Sequence, residues 1–233
     1  MNEEQWLTCK KTAVLLRYLR SLTGSRWRRW MLFNCACCRR IWGLVGKGGR
    51  MFIETVERHA DDLPPLRRRV LWEWEKKAQE EPFSGPWLNP DHRACRAAAS
   101  AAVSVKREDN STAEEAAIAV ARLRRNGGIL ETKEAEQSAQ CNILRDIFGN
   151  PFRRSATIPS WLSWNDSIVV RLAQAAYAER ILPAGTLDNT RLLILADALE
   201  EAGCIDEQIL THLRSGGEHY RGCWVIDLLL GKE

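Results

Sequence analysis

Residues 25–45, Ser-Arg-Trp-Arg-Arg-Trp-Met-Leu-Phe-Asn-Cys-Ala-Cys-Cys-Arg-Arg-Ile-Trp-Gly-Leu-Val, decide the fold class. Trp27, Trp30, Met31, Asn34, Cys38, Ile41, Trp42 and Val45 recur at spacings of three and four, the period at which side chains stack along one face of an α-helix. At about 100° per residue, Arg28 and Arg39 fall on one flank of the opposite side and Arg29 and Arg40 on the other. The stretch therefore predicts an amphipathic helix with an arginine back, opened by Ser25 as its N-cap.

The same period continues on both sides. Val14, Leu15, Tyr18, Leu19 and Leu22 predict a helix over 12–22, closed by Gly24 and forming a helical hairpin with its successor. Gly46, Gly48 and Gly49 break the pattern, a helix follows over 51–63, and Pro64 and Pro65 end it because a residue before proline resists helical geometry. Further helices are expected over 66–79, after Asp91, from Ser111 or Thr112, over 130–148, and over 166–182, 190–202, 206–213 and 219–230. The helix at Ser111 places Glu114 and Glu115 in its first turn and Arg122, Arg124 and Arg125 near its end, matching the helix dipole, before Gly127 and Gly128 stop it. Residues 81–90 hold three prolines and Trp87 and read as a loop, and an irregular segment with Pro159, Trp161 and Trp164 follows Gly149-Asn150-Pro151. No strand alternation and no fixed-period repeat is present. The expected fold is all-α, an irregular multi-helix bundle. It comprises a region 1–148 and a region 149–233, packed as two helical lobes or as one domain.

Composition narrows the setting. Apolar residues make up 45% of the 233-residue chain, enough for a globular core, but no run reaches the roughly 18 apolar residues of a membrane span. The first six residues carry Glu3 and Glu4 in place of a basic leader. A cytoplasmic protein is expected, with its eight cysteines as reduced thiols. The net charge of +4 is unevenly spread, since residues 5–53 hold eleven Lys and Arg and no Asp or Glu. Such a segment either offers a basic surface to an acidic partner or docks on the protein's own acidic remainder.

Four strings together resemble a planctomycete protein family over nearly the whole chain: CACCRRIW at 35–42, RDIFGNPF at 145–152, WLSWND at 161–166 and GCWVIDLLLGK at 222–232. Residues 195–203, Leu-Ala-Asp-Ala-Leu-Glu-Glu-Ala-Gly, are also similar to the Tyr-Ala-Asp-Trp-Leu-Glu-Glu signature of repeat-companion domains in the same bacteria, departing from it at Leu195 and Ala198. The resemblance implies bacterial lineage and assigns no activity, ligand or catalytic residue.

Three constellations carry chemistry. Cys204, His212, His219 and Cys223 form a Cys2His2 set with seven, six and three residues between successive members, thiolate and imidazole being the ligands zinc prefers. A turn at Ser215-Gly216-Gly217 would let them fold together; alternatively Cys204 merely ends a helix, Cys223 packs beside Trp224 and the histidines lie on the surface. Cys35, Cys37 and Cys38 are a second thiol cluster, but on a helix only Cys35 and Cys38 project near one another, and core packing accounts for them as well. The third is arginine with tryptophan near the N-terminus, the pairing used for phosphate contact and base stacking. It nominates Arg28, Arg29, Arg39 and Arg40 for contact with nucleic acid or another acidic partner. Ten tryptophans could also line an aromatic groove.

No nucleophile elbow, phosphate-binding loop or zinc-protease string occurs, so no enzyme activity is assigned. The reading that needs the fewest assumptions is a helical protein-interaction or scaffold module without a cofactor. Its alternatives are a zinc-stabilised module built on Cys204, His212, His219 and Cys223, and a nucleic-acid binder using the basic N-terminal helices.

Overall fold

The computed structural model describes residues 1–22, 27–61, 111–123, 133–153 and 155–232. The expected Ser25 cap, the Gly24 closure, the helix over 66–79, the loop over 81–90, the helix after Asp91 and the Gly127-Gly128 stop lie outside them. The described residues form α1 (Glu3–Thr8), α2 (Thr12–Ser21), α3 (Trp27–Arg40), α4 (Lys47–His59), α5 (Ser111–Leu123), α6 (Lys133–Phe148), α7 (Pro159–Ala178), α8 (Asn189–Glu201), α9 (Glu207–Arg214) and α10 (Trp224–Leu230). Among these residues no strand forms, only isolated bridges linking Thr186 to Ile181 and to Tyr220. The fold is all-α, as the helical period requires. No described helix is long and apolar enough to cross a membrane.

The chain divides into two compact units, Glu3–Leu144 and Arg145–Glu233. In the first, α3 packs against α4 and α5, and eleven of its fourteen residues are buried. The expected arginine back is thus not a solvated face. Arg28 and Arg39 are buried with it, which is tolerable only where each guanidinium meets a carboxylate. The glycine break also falls earlier than expected: Gly46 is the N-cap of α4, and Gly48 and Gly49 occupy its first turn.

In the second unit, α7 begins with a proline at its first turn, where the missing N–H has no intrahelical partner to lose. The helix is interrupted at Trp164, after which Asn165, Asp166 and Ser167 take φ of +45°, +54° and +58°. The segment read as irregular thus holds a helical turn of its own. Asp188 caps α8 by accepting from the Thr190 amide at 2.8 Å, and Asp206 caps α9 by accepting from Gln208 and Ile209. Between them Gly203, with φ +88°, reverses the chain so that the Cys204 amide donates to the Leu199 carbonyl at 2.9 Å. The core of this unit joins Val169, Leu192, Leu195, Ile209, Val225 and Ile226 from α7 to α10.

A candidate metal centre in the C-terminal unit

Four ligand-type side chains converge at one edge of this core. Asp146 stands in the last turn of α6, His212 in the last turn of α9, His219 in the turn between α9 and α10, and Cys223 at the N-cap of α10. The turn is pinned by its backbone: the His219 carbonyl accepts from the Leu187 amide at 2.8 Å, and the Cys223 amide donates to the Tyr220 carbonyl at 2.9 Å.

Asp146 Oδ1 lies 2.7 Å from His219 Nδ1 and 3.1 Å from His212 Nε2. Cys223 Sγ lies 3.2 Å from His212 Nε2 and 4.0 Å from His219 Nδ1. All four donor atoms fall within 4.8 Å of one another. A zinc ion with bonds of about 2.0–2.1 Å to nitrogen or oxygen and about 2.3 Å to sulfur sets tetrahedron edges of about 3.3 Å between N and O donors and about 3.6 Å to S. The two sulfur separations, 3.2 and 4.0 Å, bracket the second value, and the two nitrogen–oxygen separations, 2.7 and 3.1 Å, fall short of the first by a few tenths of an ångström, which the side chains would open to admit an ion. Hydrogen bonds alone account well for Asp146, whose Oδ1 can accept from both rings, but less well for His212, whose single Nε2 faces an oxygen and a sulfur at once.

The outer contacts point the same way. Asp146 Oδ2, the oxygen not shared with the rings, accepts the Tyr220 amide at 2.7 Å. His219 Nε2 faces Ser215, with Oγ at 3.1 Å, which leaves Nδ1 to face the centre, as when the far nitrogen of a metal-bound imidazole is held by an outer hydrogen bond. Burial alone would raise the Asp146 pKa, but hydrogen bonds and charge from His212 and His219 bring it down to about 2, so it is a carboxylate at neutral pH. Burial would lower that of His219, yet Asp146 raises it on balance. Burial and then the Asp146 charge push the Cys223 thiol well up, against the pull of the Ile226 and Val225 amides. The site thus gathers protons that a cation would replace.

The structure brings together His212, His219 and Cys223 of the expected quartet and leaves Cys204 apart. The Gly203 reversal turns Cys204 into the apolar core, where it is buried. Asp146, which spacing arguments missed, stands in that fourth place. One signal could have marked it: an acid three residues after Ile143 and one before Ile147, on a helix end whose apolar neighbours are buried.

The other nominated residues lie in the first unit. Arg28 pairs with Asp61 at 2.8 Å, Arg39 forms a fork on Glu57 at 2.6 and 2.7 Å while lying over the Trp42 ring, and Arg40 meets Glu136 at 2.9 Å. Arg29 is half-buried. Arg28, Arg39 and Arg40 are therefore turned to acids of their own unit. Cys35, Cys37 and Cys38 are all buried, and among the described residues none belongs to a ligand cluster. Trp6, Trp30 and Trp161 are core residues, while Trp72, Trp74 and Trp87 lie outside the described set. Comparison with protein-family profiles, curated proteins and solved structures found no match.

Proposed function

We propose that Arg145–Glu233 is a metal-stapled helical module in which Asp146, His212, His219 and Cys223 hold one divalent transition-metal ion, zinc being the ion that best suits a compact set of one oxygen, two nitrogens and one sulfur. The observation that carries this reading is the convergence of four donor atoms, from three helices and a turn, within 4.8 Å. Four protein donors complete a tetrahedral shell, the arrangement of structural zinc, so the ion acts as a cross-link and the helices around it as an interaction surface.

Elemental analysis of full-length protein, purified without a metal-binding tag, tests this. One zinc per chain is expected, lost in Cys223→Ser and Asp146→Ala and retained in Cys204→Ser. Protein without stoichiometric metal that also fails to take up added zinc would refute the reading. So would loss of zinc in Cys204→Ser but not in Asp146→Ala.

A further inference from the structure

The four donors are not equally held. Asp146, His219 and Cys223 keep 4%, 2% and 0% of their surface exposed, and each is fixed from outside: Asp146 by the Tyr220 amide, His219 by Ser215, and Cys223 by its place at the N-cap of α10, where its own amide donates to the Tyr220 carbonyl. His212 differs. Its side chain is 18% exposed, and its side-chain hydrogen bonds among the described residues both use Nε2, so that no protein group among them holds Nδ1 from outside. Ring packing does that work instead. His219 meets the His212 ring edge-on at 4.7 Å, and the Trp224 indole lies 5.2 Å away at a 53° tilt. Trp224 is seated against Gly149, where an added Cβ would stand 3.1 Å from its Cγ.

We propose that His212 is the exchangeable ligand of the centre and that Trp224 limits its exchange. This rests on the metal reading above. Asp146, His219 and Cys223 retain the ion while the bond from His212 Nε2 breaks, and a lone pair from a small neutral donor, water oxygen or an external imidazole nitrogen, forms the replacing bond. The step is a ligand substitution: no group is oxidised or reduced and no proton need move. It makes the centre one that loads, unloads and accepts an outside ligand on the His212 side, with the indole as the wall that must yield.

The test uses full-length protein with Co²⁺, whose visible spectrum reports its ligands, and with Zn²⁺ for release kinetics. His212→Ala should still take one Co²⁺ per chain, at least about tenfold more weakly than wild type, since loss of even an outer partner costs that much, and added imidazole should return its spectrum toward that of wild type. Cys223→Ser should lose far more affinity. Trp224→Ala should speed zinc release to a competing chelator by about tenfold, with Trp224→Phe within about threefold of wild type, helical circular dichroism being unchanged in both. The inference is overturned if His212→Ala, still helical, loses Co²⁺ as completely as Cys223→Ser, if imidazole leaves its spectrum unaltered, or if zinc leaves Trp224→Ala at the wild-type rate. Wild-type protein that binds neither ion overturns the metal reading itself, and this inference with it.

Discussion

Gly149 and Gly203 offer a matched pair of perturbations. Both have positive φ, +68° and +88°, so alanine at either is strained by about 1–2 kcal/mol. Restricting the unfolded chain returns about 0.4–1 kcal/mol in each case. They differ in their surroundings. A Cβ on Gly203 meets nothing within 4 Å, whereas on Gly149 it meets Trp224 Cγ at 3.1 Å and Cδ2 at 3.3 Å. The indole must shift by a few tenths of an ångström, and overpacking of this kind costs about 1–3 kcal/mol. Gly203→Ala should therefore destabilise by about 1 kcal/mol and Gly149→Ala by about 2–3 kcal/mol. Because the Trp224 ring also bears on His212, only Gly149→Ala should weaken zinc binding. Urea unfolding of the full-length chain without metal, with amide exchange in α8 to α10 to isolate the C-terminal unit, measures the first effect; chelator competition measures the second. Equal destabilisation by the two substitutions would refute the claim that Trp224 is wedged between Gly149 and the donor cluster.

Other consequences are as direct. Chelation of a zinc-loaded chain should lower the thermal midpoint of the C-terminal unit, as read by calorimetry; an unaltered transition would argue against a stabilising ion. The buried Arg39–Glu57 fork predicts a loss of about 3–5 kcal/mol for Glu57→Ala or Arg39→Ala, and recovery of most of it when both are replaced by apolar residues of similar volume, Glu57→Leu with Arg39→Met. A double-mutant cycle in urea checks this, and a double variant no better than the singles would count against it. Asp206→Ala should cost about 1 kcal/mol by removing the cap of α9, with greater amide exchange in its first turn; unchanged exchange there would count against the capping role.

The fold class was legible because helical period is a local property: Trp30, Met31, Asn34 and Cys38 repeat on one face whatever surrounds them. The burial of the opposite face was not. Whether Arg28 and Arg39 face water depends on Asp61 and Glu57 arriving from α4 and the residues just after it, and one-dimensional spacing does not report that arrival. The same limit applies at the candidate centre. His212, His219 and Cys223 lie close in sequence, so their spacing nominated them. Asp146 comes from 66 residues before His212, beyond any local pattern. Cys204 shows the converse: it is near in sequence, but the reversal at Gly203 sends it into the apolar cluster, where thiol chemistry is replaced by packing.

The placement of Asp146 and His219 has a topological consequence. They are 73 residues apart in sequence yet 2.7 Å apart in space, so an ion held between them would close most of the C-terminal unit into a single ring. By the chain-entropy account of such closures, a ring of this size is worth about 4 kcal/mol against the open chain. A protease that cut one exposed bond between α8 and α9 would then produce two pieces that still travel as one molecule while the ion is bound and separate, under mild denaturant, when it is withdrawn. The centre would serve the unit as a clasp serves a bracelet, preserving continuity where the backbone no longer supplies it.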